Sequence, residues 1–171
     1  MAKKTVVKEI VVPAAAPPAP PTVDVTPHLA VPSATMLFAS LLALLYLYLT
    51  WQVIRRRREY RTPYGYSEHH PDLERAIRAH GNFQEYAPLF LILLYLFETN
   101  AGQPWLCYLL GSLFLLGRIS HAASLLSVEA KRLKRGERLS IAFRLRFFAM
   151  AQTLTCFTVL AVLLLIHLVL S

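Results

Sequence analysis

The sequence predicts an all-α, integral membrane four-helix bundle, and three observations carry that prediction. The 171-residue chain is 56% hydrophobic, with a mean hydropathy of +0.44. Its apolar residues gather into four runs, each close to the ~20 residues that a membrane span requires. Lys and Arg crowd two of the connections between these runs and are missing from the other. A soluble protein with this composition would need a much larger polar shell than the chain can provide.

Residues 1–35 form a separate compositional zone holding seven of the eleven prolines, with clusters such as PAAAPPAPP. That composition favours polyproline II and solvated backbone over a packed core, so it predicts a disordered Pro/Ala-rich N-terminal arm. Val6–Val12 within it has the composition to add as a strand to a partner's sheet edge. The membrane domain is expected over 36–171.

The first span, Met36–Ile54, contains no charge, and Arg55–Arg58 behind it reads as a stop-transfer signal. It lies too far from the N-terminus for an ordinary signal peptide and is read as a retained span. Tyr60–Leu73, with Pro63, Gly65 and Pro71, is a loop, and Pro71-Asp72 opens the second helix with an acidic residue suited to the macrodipole. The second span, Ala79–Phe97, begins on a polar row. The short Asn100–Pro104 connection predicts an antiparallel hairpin with the third span, Trp105–Val128, which contains Arg118 and His121. Glu129–Ser140 is charged, with Gly136 as a break, and extends the third helix before the chain returns. The fourth span, Phe147–Leu170, is interrupted only by His167.

Seven basic residues lie from Arg55 to Arg78 and seven from Lys131 to Arg146, whereas Thr99–Pro104 has none. The positive-inside rule therefore places the first and third connections in the cytoplasm, giving an N-out/C-out topology. The formal net charge of +8 is mostly topological. A basic strip beside anionic lipid headgroups accounts for it, and no nucleic-acid partner is expected, because no independent soluble module carries the charge. Cys107 and Cys156 lie within apolar helix at a spacing that fits no metal site, as small hydrophobes would.

The chemistry is expected on the second helix. Arg75, Arg78, Asn82 and Glu85 are spaced three, four and three apart, which puts them on one helical face with Tyr86 at its margin. Charged groups carried into hydrocarbon cost roughly 3 kcal/mol or more and therefore face a bundle interior or a wet cavity. Arg offers a rigid fork of donors for carboxylates. Glu85 accepts from an ammonium group, and Asn82 both donates and accepts. The row suits a zwitterionic small molecule bearing carboxylates. The plainer reading is that Arg78 and Glu85 neutralise each other, or charges on a neighbouring helix, and merely specify packing. On the third helix Arg118 and His121 share a face. Arg144 and Arg146 stand at the start of the fourth, where snorkelling anchors are the simpler reading of each. His80, His121 and His167 lie on three helices at different depths, and His69-His70 lacks a ligand spacing, so no metal or haem is expected.

These residues reach a family. The second helix reads E-R-x-x-R-A-x-x-N-x-x-E-Y-x-P, at Glu74, Arg75, Arg78, Ala79, Asn82, Glu85, Tyr86 and Pro88. This resembles the MAPEG family, the membrane-associated proteins of eicosanoid and glutathione metabolism. Gly117-Arg118 to His121-Ala122 and Arg146-x-x-x-Met150-x-x-Thr153 are softer matches, and together they look like the bacterial branch. The resemblance covers about residues 36–171. It implies a homotrimer that holds glutathione, as co-substrate, between subunits through Arg78, Asn82, Glu85 and Tyr86. By position on the same helices, Arg75, Arg118 and His121 are expected to assist that binding. The resemblance further implies a catalytic arginine at the start of the fourth helix that stabilises the thiolate, with Arg146 the best counterpart and Arg144 the alternative. Leukotriene-type members have glutathione-contacting tyrosines on the third helix, where this chain has His121 and Leu125. The implied function is a glutathione transferase or peroxidase acting on lipophilic electrophiles in a membrane, the inner (cytoplasmic) membrane if the source is bacterial. A non-catalytic lipid-binding or scaffold protein of the same architecture is the alternative.

Overall fold

The computed structural model describes residues 31–65, 69–100 and 102–170. Most of the expected N-terminal arm lies outside them, and Ser33–Thr35 already belong to the first helix. Among the described residues the only regular structure is helical. Four long helices follow one another up and down: α1 (Ser33–Glu59), α2 (Pro71–Asn100), α3 (Pro104–Lys134) and α4 (Ser140–Leu170). Pro71 opens α2 and Pro104 opens α3, each at a helix start where the missing N–H costs nothing. Gly136, with φ +64°, turns the chain after Lys134 where a side chain would be strained.

α1, α3 and α4 are each long and apolar enough to cross a membrane. α2 is long enough at 30 residues, but its polar row lowers its hydropathy. It makes up for this by packing against all three other helices. α1 lies mainly on α2 and α4 mainly on α3, so α1 and α4 occupy opposite corners. Their outward faces are apolar and exposed, including Leu44 and Trp51 on α1 and Leu165 and Val169 on α4. An apolar exterior of this kind marks a membrane protein.

Two contacts fix the bundle end where α1 begins. Pro32 precedes α1 and supplies no side-chain cap. Instead the backbone N–H groups of Ala34 and Thr35 donate to Oε1 and Oε2 of Glu98 at 2.8 and 2.7 Å. A carboxylate from the end of α2 thus satisfies the orphan donors of α1 and meets the positive end of its dipole. One turn further on, the Phe38 ring lies over Gly111 of α3. A Cβ there would stand 2.1 Å from the ring, so only glycine admits this crossing. At mid-bundle, Phe90 and Phe114 stack at 3.8 Å with Phe157 edge-on to both, which joins α2, α3 and α4 through one aromatic cluster.

α3 contains a feature the sequence did not announce. Ser124–Glu129 winds as a π-helix before the α-helix resumes at Ala130. The wider winding accommodates one extra residue and redirects the side chains that follow.

Candidate functional site

An open cleft of about 780 Å³ runs between α2, α3 and α4, lined by Glu74, Ile77, Arg78, Gly81, Asn82, Glu85, His121, Leu125 and Arg146. The six α2 residues recur at helical spacing, so a single face of that helix forms one wall. Gly81 leaves this wall recessed, because a Cβ placed there would meet nothing within 4 Å.

The base of the cleft is set by Arg118, which is fully buried. Its Nη1 donates to Asn82 Oδ1 at 2.7 Å, and its Nη2 donates to Thr153 Oγ1 and, at 3.4 Å, to the Ala149 carbonyl. The guanidinium also lies 5.3 Å from the Tyr86 ring centroid and 5.6 Å from that of Phe114. Among the described residues no carboxylate pairs with it. Neutral acceptors and two ring faces offset its burial instead. Because Oδ1 of Asn82 is committed to Arg118, its amide group is turned toward Met150, whose sulfur lies 3.7 Å from Nδ2.

Arg146 faces the cleft from α4 and donates from Nη1 to Glu129 Oε2 at 2.8 Å, at the end of the π-helical segment. Arg78 pairs with Glu74 one turn earlier at 3.4 Å, not with Glu85. Glu85 is exposed toward the cleft and, among the described residues, has no ion-pair partner. The pairing of Arg78 with Glu85 that packing alone would favour is therefore not what holds this face together.

Of the residues singled out in the sequence, Arg78, Asn82, Glu85, His121 and Arg146 come together in one cleft. Tyr86 lies just behind it, half-buried between Arg118 and Phe157. Arg118 touches the cleft through Asn82. Arg75 instead lines a second hollow with Arg56, Asp72 and Lys134. Arg144 is exposed beside Phe143, Phe147 and Phe148, away from the cleft. His80 is held at the α1–α2 seam by Thr50 at 3.0 Å and stacks on Tyr46. Cys107 and Cys156 are buried free thiols. Glu129 escaped the sequence reading, since a partner 17 residues away across a charged connection leaves no periodic signal.

A helical membrane bundle with ionisable side chains converging between its helices is the class of protein that fold and cleft define. The chain belongs to the MAPEG family, whose model matches residues 35–166. It is similar to the inner membrane protein YecN of Escherichia coli strain K12, at 39% identity over 88 residues, and equally to YecN of Escherichia coli O6:H1. The match covers 50% of this chain and 64% of the relative, so the chain spans somewhat under two thirds of the length of the curated relatives it matches.

Proposed function

We propose that the protein is a membrane-bound glutathione transferase, with related peroxidase chemistry, that joins glutathione to lipophilic electrophiles. The observation that carries this reading is the Glu85 carboxylate, without an ion-pair partner among the described residues, facing the same cleft as Arg78, Asn82 and Arg146. Glutathione presents one ammonium group, two carboxylates and one thiol. Glu85 would hold the ammonium group, Arg78 a carboxylate, and Asn82 a peptide group. Tyr86 and Arg118 would position them, and His121 would bound the cleft.

A free thiol of this type has a pKa of roughly 8.5, so little is thiolate at neutral pH. The Arg146 guanidinium beside the sulfur would favour the charged form. The thiol proton passes to water, the thiolate attacks an electrophilic carbon, and a C–S bond forms as the leaving group departs with its electron pair. The electrophile would enter from the bilayer along the apolar helix faces. An open cleft exposing Glu85 suits a homotrimer in which a neighbouring subunit closes the site. The reading places four spans in an inner membrane with both termini outside and the basic connections in the cytoplasm. Reporters at Gly65 and Gly136 should then be cytoplasmic, and one after Leu170 external.

Detergent-purified protein should rise in melting temperature with millimolar glutathione, since a ligand that binds only the native state stabilises it. Arg78→Ala and Glu85→Ala should each reduce that shift while the oligomer persists. Absence of any shift in the parent would favour a non-catalytic lipid-binding or scaffold role. One observation speaks for that second reading: Arg146 and Arg118 already have partners within the chain.

A further inference from the structure

The hollow that holds Arg75 lies at the basic end of the bundle and belongs to no part of the cleft. It measures about 580 Å³ and is walled by the end of α1 (Arg56, Tyr60), the start of α2 (Pro71, Asp72, Arg75) and the extension of α3 (Leu126, Ala130, Leu133, Lys134). Three cations and one carboxylate face it. The carboxylate is already engaged: Tyr60 donates its hydroxyl hydrogen to Asp72 Oδ2 at 2.7 Å, and Arg56 Nε stands 3.5 Å from the same oxygen. Among the described residues Arg75 and Lys134 have no ion-pair partner.

The walls therefore combine an excess of positive charge with an apolar floor of Leu126, Ala130 and Leu133. The π-helical segment contributes to both hollows: its Leu125 lines the cleft and its Leu126 lines this one. The hollow begins where the apolar run of α1 gives way to Arg55–Arg58, which is the level of lipid headgroups. A basic pocket between membrane helices at that level is suited to an anionic phosphate group, and the leucines are suited to the chain attached to it.

We infer that this hollow is a binding site for a phosphate-bearing anion, with Arg75 and Lys134 as its free cations, Arg56 as a fixed one, and Leu126 and Leu133 as the surface for an acyl chain. The source of the phosphate is either a phospholipid headgroup or a soluble phosphate compound.

The test uses the full-length protein purified in an uncharged detergent. Its melting temperature is followed on titration with short-chain phosphatidylglycerol, short-chain phosphatidylcholine or inorganic phosphate. Phosphatidylglycerol should stabilise the protein at lower concentrations than phosphatidylcholine. Arg75→Gln and Lys134→Gln should each raise the concentration needed roughly tenfold, as loss of a charge-assisted contact implies. If inorganic phosphate stabilises as well as phosphatidylglycerol and shows the same dependence on Arg75 and Lys134, the site stands and its source is soluble. Arg55→Gln is the control, since Arg55 lies over Trp51 at 5.5 Å and outside the hollow. Equal losses in Arg55→Gln and Lys134→Gln would mean diffuse surface charge and overturn the proposal. So would an equal response to the two lipids, or undiminished binding in both hollow variants when they melt as the parent does.

Discussion

Arg118 and Asn82 are joined across α3 and α2 by a 2.7 Å hydrogen bond from Nη1 to Oδ1, and this contact ties the buried cation to the cleft wall. The same guanidinium reaches Thr153 on α4, so one side chain holds three helices in register beneath the site. Asn82 could rotate its amide freely on an isolated helix. Here its orientation is imposed.

Arg118→Ala should therefore lower the melting temperature and, if the cleft holds glutathione as proposed, weaken that binding with it. It leaves acceptors on Asn82 and Thr153 unpaired, at roughly 1–3 kcal/mol for each that stays buried without water. Arg118→Lys should recover part of the stability and less of the binding, because a point charge cannot reproduce the guanidinium fork. Thermal melts and glutathione titrations on the same preparations separate the two effects. Equal binding by Arg118→Ala and the parent would rule out a positioning role for Arg118.

Phe38 and Gly111 make a prediction about packing alone. Gly111→Ala puts a Cβ into the Phe38 ring, and overpacking of this kind costs typically 1–3 kcal/mol. Phe38→Leu relieves the clash, so the double variant should be more stable than the sum of the two single changes predicts. Strict additivity in the double-mutant cycle would mean that α1 and α3 do not meet at this point.

The clasp of Tyr60, Arg56 and Asp72 predicts a pH dependence at the basic end. Burial alone would raise the Asp72 carboxyl, but the Tyr60 hydrogen bond, backbone donors and Arg56 outweigh it and hold it below the usual carboxylate range. A depressed folded-state pKa adds stability that is present above the unfolded value of about 3.9 and is lost as pH falls through the lower folded value. Between pH 5 and pH 3, the parent should lose more melting temperature than Asp72→Asn, which has no proton to take up there. Parallel curves for the two proteins would remove Asp72 as the linked group.

Much of this architecture was legible in the sequence, because the signals were long and periodic. Apolar runs, the helix-opening Pro71 and the short Asn100–Pro104 connection gave the four helices, and the three-four-three spacing gave the face that bears Arg78, Asn82 and Glu85. What could not be read depends on how a helix rotates against its neighbours. Arg75 sits three residues from Arg78, or about 60° round the helix axis, which is enough to carry it from the cleft into the other hollow. The π-helical segment shifts the register of α3 without any Gly or Pro to mark it, and it places Glu129 within reach of Arg146. The resemblance made Arg146 the better counterpart and left Arg144 as the alternative. They are about 200° apart on α4, and packing turns Arg146 inward.

That difference, together with the 2.8 Å contact between Arg146 and Glu129, yields the last prediction. If Arg146 stabilises the bound thiolate, its positive field is partly cancelled by the carboxylate it holds. Removing the cation and removing the anion should then move the thiol in opposite directions. Arg146→Ala should raise the pKa of bound glutathione, so that thiolate absorbance near neutral pH falls and conjugation of a small hydrophobic electrophile slows. Glu129→Gln keeps the shape but removes the negative charge, so the thiolate should form at lower pH than in the parent. Arg146→Lys should restore part of the thiolate signal. Arg144→Ala should leave the titration unchanged, since that side chain points away from the cleft. The measurement is ultraviolet absorbance of the thiolate against pH at saturating glutathione. Shifts of the same sign in Arg146→Ala and Glu129→Gln would mean that the pair acts only as a structural brace between α3 and α4. A parent with no thiolate signal at all would point to the non-catalytic reading.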